Sequence, residues 1–352
     1  MRRVPNQTRR SAVNAHRTRL GPLPGWFLPL CLGLAIASSA LRAAELPSPS
    51  DTVPEVLVTG ERPGPGMWRV SNGSHTLWIL ATLVPLPRRI TWRSHAVETR
   101  IANSGVVLAP PEIVADVGFF SDPAYAHAIA QAERNPRGGT LKLALPPELY
   151  SRWQALRGRY MGGYDEHARP ILAARDMFQQ VIDLSGLTMH ETVWKTVVRI
   201  ARRKHVKILP VVIELKMDSP DEWIREFTEI PSDQEVTCLE KTIERIETDL
   251  EPMRRRANLW SLGDVKGLLA LTFPDERVAC FNALFSVPRL HDQLEDAGAP
   301  LESEWLAAAD SALSRYESSF AVVPLSQLLN SDGWLAKLRA RGYSVQDPDP
   351  QD

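Results

Sequence analysis

The stretch MWRVSNGSHTLWILATL, residues 67–83, decides the fold that the sequence predicts. It contains two runs of β-forming residues around an Asn-Gly-Ser turn, a strong local signal for a β-hairpin. The second run continues into VPLP, residues 84–87, so a buried strand bends away into prolines. Many enzymes place a catalytic group at the end of such a strand. Here no side chain from Trp78 to Pro87 can ionise.

A helix followed directly by a strand is predicted for residues 187–215. Apolar residues recur at helical spacing as far as Ala201, and a β-rich run extends from Val206 to Ile213. Glu214 then stands at the predicted exit of the strand, where α/β sheets usually bind ligands. A strand-end glutamate that only faces water is the alternative, and the residues alone slightly favour it.

Two further segments complete the predicted sheet. Residues 105–111, GVVLAPP, form a strand that we expect to close at its two prolines, because proline cannot serve a central ladder. Residues 320–345 predict a strand, a loop, a helix capped near Ser331 or Asp332, and a closing strand. Gly342 is the predicted stop of that helix.

The middle of the chain is predominantly helical. One charged helix carries an apolar stripe that we expect to pack against its own domain rather than against a partner helix: Leu239, Ile243, Ile246, Leu250 and Met253. Pro252 should interrupt or kink this helix. The predicted fold class is therefore α/β, with a mixed β-sheet, flanking helices and a large central helical insertion.

Charge and composition bound the function. The 352 residues include 41 basic and 42 acidic ones, a net charge of −1, which argues against nucleic acid as a partner. The basic and apolar start of the chain predicts a secretory signal peptide at 1–44, followed by a linker rich in proline and glycine at 45–66 and one domain at 67–348. We expect a periplasmic or secreted protein with no stable membrane span after cleavage.

Motif searches exclude several kinds of chemistry. The sequence has no phosphate-binding loop, dinucleotide fingerprint, nucleophile elbow or kinase signature. No two histidines of the mature chain have helical ligand spacing, and His205 is expected to close a helix end. Cys238 and Cys280 either form a disulfide or stay as two buried thiols. Glu133, Glu148 and Glu166 are assigned to a solvated surface.

The chain resembles the TraB/GumN family, whose wider group includes the Tiki-type proteases. The resemblance covers about Met67 to Val345 and is carried by four segments in order: residues 67–83, residues 204–215 (KHVKILPVVIEL), residues 259–271 (LWSLGDVKGLLAL) and residues 332–345 (DGWLAKLRARGYSV). It implies a fold related to the erythromycin-esterase and ChaN-like proteins. In active members, two Gly-x-x-His motifs and a glutamate bind a divalent metal that activates water.

The sequence departs from this pattern at both motifs. Ala81 and Val84 stand where the resemblance places the first glycine and histidine, and Pro324 and Gln327 stand where it places the second pair. Valine cannot bind a metal, and the glutamine amide is a poor substitute for imidazole. Of the implied ligands only Glu214 survives. We therefore expect no metal site and no cofactor.

The resulting hypothesis is a degenerate family member that binds a peptide or protein in the remnant cleft near Thr82, Glu214 and Gln327. One alternative is a protease-like hydrolase, either metal-dependent or with Glu214 as general base. Another alternative is a structural or assembly component that uses the helical insertion, in which case removal of residues 233–256 should abolish partner capture without unfolding the core.

Overall fold

The structure is a computed structural model that describes residues 62–115, 118, 122–215, 217–271, 277–329 and 332–348. The predicted signal peptide at 1–44 and most of the predicted linker at 45–66 lie outside the described residues. The last part of the linker is described: Gly64 and Pro65 are buried, and the Arg62 guanidinium donates to the side chains of Asn258 (2.9 Å) and Ser261 (2.7 Å). The packed chain thus begins before Met67.

A six-stranded mixed sheet organises the fold, in the order β6-β4-β7-β2-β1-β8. Its strands are β1 Met67–Asn72, β2 His75–Thr82, β4 Val106–Ala115, β6 Lys207–Leu215, β7 Ser318–Pro324 and β8 Ser344–Gln346. The predicted hairpin is confirmed, because β1 and β2 pair antiparallel around Gly73, whose φ is 59°. Strands β2, β7, β4 and β6 are parallel, so their carboxyl ends meet at one edge of the sheet. A separate pair joins β3 Leu86–Pro87 to β5 Leu187–Thr188.

The expectation that β4 closes at its prolines is wrong. The strand continues through Pro110 and Pro111 to Ala115 and pairs with β6 along its length, with a register shift between Leu108 and Pro111. Its pairing with β7 ends at Leu108, so one side of the strand is free of a ladder where the prolines stand. The bulge thus accommodates two residues that lack an N–H.

The helices surround the sheet and form the insertion. They are α1 His95–Ala102, α2 Ala126–Ala132, α3 Leu141–Ala144, α4 Pro147–Tyr160, α5 Pro170–Leu184, α6 Thr192–Arg203, α7 Pro220–Thr228, α8 Ser232–Ser261, α9 Val265–Leu269, α10 Arg277–Phe285, α11 Pro288–Arg315, α12 Leu325–Leu329 and α13 Trp334–Ala340. The α/β class with a helical insertion is confirmed. No helix in the described part of the chain is both long and apolar enough to cross a lipid bilayer.

Helix α8 is shared by two apolar clusters. Leu239, Ile243 and Ile246 of the predicted stripe are buried in the core of the insertion, whereas Ala257 and Trp260 belong to the core beneath the sheet. The helix is continuous for 30 residues through Pro252. Its apolar stripe packs within the domain, as the sequence predicts.

The C-terminal helix differs in its cap. Helix α13 is preceded by Gly333 as N-cap, not by Ser331 or Asp332, of which Ser331 lies outside the described residues. Gly342 has a φ of 89° just beyond the end of α13, so the predicted stop is confirmed. His205 likewise follows α6 with a φ of 57°, the left-handed conformation that ends a helix.

Candidate functional site at the carboxyl edge of the sheet

The structure brings three of the predicted site residues together. Ala81 and Thr82 end β2 beside Val323 and Pro324 at the end of β7, in parallel register. The Thr82 hydroxyl donates to the Val323 carbonyl oxygen over 3.4 Å. Ala81 is 2% exposed and belongs to the core beneath the sheet. Thr82 and Pro324 are half-buried at the surface of the edge.

The two positions that the resemblance assigns to histidines lie just beyond these strands. Val84 is 36% exposed in the bend after β2, and its peptide bond to Pro85 is cis. Gln327 is exposed on α12, the short helix that directly follows β7. The edge therefore presents an apolar side chain and one neutral amide where a metal site would require basic nitrogen ligands.

Trp260 fixes the end of β2 from below. Its indole Nε1 donates to the Ala81 carbonyl oxygen over 2.9 Å. Its ring is buried and makes a T-shaped contact with Trp92, with the ring centroids 6.4 Å apart. Gly263 then adopts a φ of 71°, and Asp264 caps α9 by accepting from the Gly267 N–H over 2.8 Å. The Trp-x-x-Gly-Asp sequence thus ends one helix, begins the next and supports the sheet edge.

Glu214 lies farther out than the sequence predicts. It is the penultimate residue of β6, it is exposed, and it pairs with Val114 of β4. The last β4 pair with β7 is Leu108–Ala321, level with Leu209 of β6. Glu214 is therefore two strands away from β7, about 10 Å across the sheet. Along the strand direction it lies about two residues, or about 7 Å, beyond the end of β7. The structure does not place it beside Thr82 or Gln327.

Two carboxylates at this edge escaped the sequence analysis. Glu112 follows the two prolines on β4 and, as the residue two before Val114, shares the sheet face of Glu214. Glu191 precedes α6. Partial burial raises the pKa of Glu191, and the negative charge of Glu112 raises it further. Glu112 would have been recognised as a strand-end carboxylate if the strand had not been expected to end at Pro111.

A metal site at this edge would require several ligating side chains close together. Within the described ranges, no group of three or more histidine, cysteine, aspartate or glutamate residues is placed to hold an ion. His75 lies at the opposite end of β2, where its Nδ1 contacts the Leu313 carbonyl oxygen over 2.8 Å. The residues at the two motif positions do not fit the metal that the resemblance implies.

Glu166 corrects an assignment made from sequence. Its carboxylate accepts from Arg157 Nη1 over 2.5 Å and from Trp153 Nε1 over 3.2 Å, and it is partly buried in the insertion. The solvated-surface assignment is therefore wrong for this residue. The partners lie 9 and 13 residues earlier, on a helix whose folded position the local sequence does not reveal.

Cys238 and Cys280 form a disulfide that joins α8 to α10. Their Cα atoms are 4.5 Å apart, and 42 residues separate them along the chain. Of the two alternatives that the sequence left open, the structure contains the paired one. The bond lies in the insertion and contributes nothing to the sheet edge.

The chain matches the family model described as the TraB/PrgY/gumN family over residues 66–347. No curated protein and no solved structure matches it. The matched range covers the whole sheet and insertion, from the residue before β1 to the last residue but one of the described chain.

Proposed function

The chain belongs to the TraB/PrgY/gumN family, and we propose that it is a periplasmic or secreted member that has lost metal chemistry and acts by binding a peptide segment. The observation that carries the proposal is the replacement of both expected ligands, by Val84 and Gln327, on an edge whose backbone is still fixed by Trp260. Trp260 holds the end of β2 in place, and the two motif positions lack the nitrogen ligands that would bind a metal.

The bound segment is proposed to be extended, with apolar and basic side chains. Strand β6 is the outermost strand on its side, so one side of its backbone pairs with no other strand of the described sheet. An extended peptide adds to such an edge by main-chain hydrogen bonds. Glu214 of β6 shares one sheet face with Val114 and Glu112 of the neighbouring strand β4, and Val114 is 38% exposed. This mixture of apolar and acidic side chains suits a segment with apolar and basic residues.

The compartment is part of the proposal. The basic and apolar N-terminal sequence supports export, and the Cys238–Cys280 disulfide supports an oxidising environment, where such bonds persist. Expression with and without residues 1–44, followed by cell fractionation, tests this part. Retention of the full chain in the cytoplasm would contradict it.

The first experiment measures metal content by mass spectrometry on the mature domain, purified without chelator and then supplied with manganese, cobalt or zinc. A thermal-shift scan accompanies it, because a bound ion raises the unfolding midpoint with concentration. We expect neither stoichiometric metal nor a raised midpoint. One tightly bound ion per chain would overturn the loss of the metal site.

The second experiment titrates a peptide of alternating valine and lysine residues against the wild-type domain. Glu214→Gln on β6 should weaken binding about 1.4- to fivefold, since exposed ion pairs contribute about 0.2–1 kcal/mol. Glu112→Gln on the inner strand β4 should have a smaller effect. Glu148→Gln is the matched control, because Glu148 is an exposed glutamate at the start of α4. Equal binding by all three variants would exclude the β6 edge as the site.

A Glu-assisted hydrolase is the second candidate, and the Glu112–Glu191 pair is the observation that favours it. Burial and the charge of Glu112 raise the pKa of Glu191, and a carboxyl of raised pKa beside another carboxylate can act as the general acid of such a pair. Peptide hydrolysis that Glu191→Gln and Glu112→Gln abolish would establish this candidate. Hydrolysis that Glu214→Gln alone abolishes would return the role to the residue that the sequence selected.

The third candidate, an assembly component that uses the helical insertion, requires a different test from the deletion of residues 233–256. Residues 233–256 contain the buried stripe and both ends of buried ion pairs, so their removal would expose the core of the insertion. The deletion proposed from sequence is therefore an unsuitable test. Charge reversal on the exposed face, for example at Glu240, would test partner capture with the core intact.

A further inference from the structure

The helical insertion contains a cavity of about 280 Å³ that is open to solvent on one side and shares no lining residue with the carboxyl edge. Its walls are apolar and come from α2, α5, α7, α10 and α11: Ile129, Leu172, Ile224, Phe227, Leu284 and Leu290. An apolar cavity of about 150 Å³ holds one benzene ring. This cavity is therefore large enough for an apolar body of about two fused rings.

A buried arginine joins two walls of the cavity. Arg169 Nη1 donates to the carbonyl oxygens of Ala132 in α2 (3.2 Å) and Phe227 in α7 (2.7 Å), while its Nη2 pairs with Glu235 in α8. Both carbonyls belong to residues that line the cavity. Arg169 is 4% exposed, so these bonds are shielded from water. The walls are thus preorganised and do not collapse onto each other.

A second arginine, Arg289, joins the α7 wall to α11. Arg289, in the first turn of α11, donates from Nε to Glu226 over 2.9 Å and also pairs with Glu222, both on α7. Val287 and Leu290, on either side of Arg289, line the cavity. The α7 wall is therefore bound to α11 as well as to α2.

Polar groups of opposite sign accompany the apolar walls. Glu133 and Arg175 both line the cavity, and both are exposed to solvent. A hydrogen bond to Asp176 raises the pKa of Arg175, and the negative charge of Glu133 contributes to the shift, which shows that the two rim residues are close. A ligand with a net charge of either sign would meet one like charge here.

Trp223 adds an aromatic ring to the wall. Its side chain lines the cavity and is 6% exposed. Its indole N–H is fully buried and has no hydrogen-bond partner among the described residues, so the apolar part of the ring is what faces the cavity.

We propose that this cavity binds a small amphipathic molecule with an apolar body of about two fused rings and a polar head group that is uncharged overall. The proposal goes beyond the peptide binding assigned to the sheet edge and does not depend on it. Metal loss and peptide binding at the edge can fail while the cavity still binds its ligand, because the two sites share no residue.

The test uses three probes of equal body and different head group: 2-naphthol, 2-naphthoate and 2-naphthylmethylammonium. Calorimetry on the mature domain should give a Kd for 2-naphthol on the order of 100 μM, the affinity expected for about eleven non-hydrogen atoms. The two charged probes should bind roughly tenfold more weakly, because each must lose the solvation of its charge at an apolar site, and the like charge on the rim offsets the attraction of the opposite one. Tighter binding by either charged probe would overturn the uncharged head group.

Two filled variants locate the binding. Ile224→Trp and Ala132→Phe add side-chain volume from different walls and should each reduce 2-naphthol affinity at least tenfold. Leu143→Trp is the control, since Leu143 is 81% exposed and outside the cavity, and it should leave the affinity unchanged. Far-ultraviolet circular dichroism confirms that each variant is folded.

A measurement on the wild type covers the case in which a filled variant does not fold. Amide chemical shifts should change most at residues 172, 224 and 284 when 2-naphthol is added, and little at Ala81. Shifts concentrated elsewhere, undiminished binding by both folded variants, or no binding of any probe up to roughly 1 mM, a weak limit for this size, would each overturn the proposal.

Discussion

The indole N–H of Trp260 donates to the carbonyl oxygen of Ala81, a residue 179 positions earlier in the chain. This single bond joins the end of the long helix α8 to the end of the central strand β2. Both residues are 2% exposed, so the carbonyl has no access to water if the donor is removed. A residue of α8, outside the sheet, thus holds the end of β2 at the candidate site in place.

Trp260→Phe should destabilise the domain by more than its loss of volume explains. The buried Ala81 carbonyl would remain without its donor, at a cost of about 1–3 kcal/mol. Trp305→Phe is the matched control, because Trp305 is 0% exposed and its indole N–H has no partner among the described residues. Urea unfolding of both variants gives the difference, and equal losses would contradict the contribution of the hydrogen bond.

Reduction of the Cys238–Cys280 disulfide should lower the free energy of unfolding by about 4 kcal/mol. The value follows from the loop entropy of a 42-residue separation, which reduction restores to the unfolded chain. Guanidinium unfolding with and without a reductant measures it. The variant with both cysteines changed to alanine should show the lower stability and no response to the reductant. A wild type that also shows no response would mean that the thiols are free.

Arg169→Met should cost about 3–5 kcal/mol, because it leaves the Glu235 carboxylate buried without its partner. Changing both residues to methionine should restore part of the stability, since no isolated charge then remains although the Ala132 and Phe227 carbonyls still lack their donor. Arg134→Met provides the control, because the Arg134–Asp165 pair is 58% and 53% exposed and should contribute less than about 1 kcal/mol. Thermal and urea unfolding compare the three. A loss in Arg169→Met no larger than that of the control would show that the pair is not buried in solution.

Glu191 should give a distinct pH dependence. Its pKa in the folded state is above the ordinary value of 4.5, chiefly through burial and additionally through Glu112. Its contribution to stability is therefore complete below the unfolded pKa and is lost as the pH rises through the folded pKa. Glu191→Gln should remove that loss, and unfolding curves collected from pH 4 to pH 7 test the change in slope.

Carbon-detected NMR titration separates the effect of the neighbouring charge. Glu112→Gln should lower the pKa of Glu191, because one like charge is removed, whereas Glu148→Gln on α4 should leave it unchanged. If both variants leave the titration of Glu191 as in the wild type, the two carboxylates are not coupled.

Local sequence signals predicted the local parts of the structure. The Asn-Gly-Ser turn placed the β1–β2 hairpin, the periodic run up to Ala201 placed α6 before β6, and Gly342 marked the end of α13. The hairpin, helix α6 and the end of α13 each depend on residues a few positions apart, so the local residue types are sufficient to predict them. The family resemblance extended this local evidence to the order of the elements.

The contacts that build the site depend on distant residues. No local pattern indicates that Trp260 reaches Ala81, or that Glu112 approaches Glu191, because strand pairing and helix packing bring these residues together. Local reasoning also ended β4 at Pro110 and Pro111, whereas the partner strand β6 continues the ladder on the other side of a bulge. Proline is excluded from a ladder only where its missing N–H is needed.

The sharing of α8 between the two apolar clusters has a consequence for local opening. A 30-residue helix cannot lose its insertion half while its other half stays packed beneath the sheet, unless the helix itself breaks. Backbone amides near Ile243 and near Ala257 should therefore exchange with deuterium at similar rates, limited by the same opening of the whole domain. Faster exchange at Ile243 would mean that the insertion unfolds before the sheet.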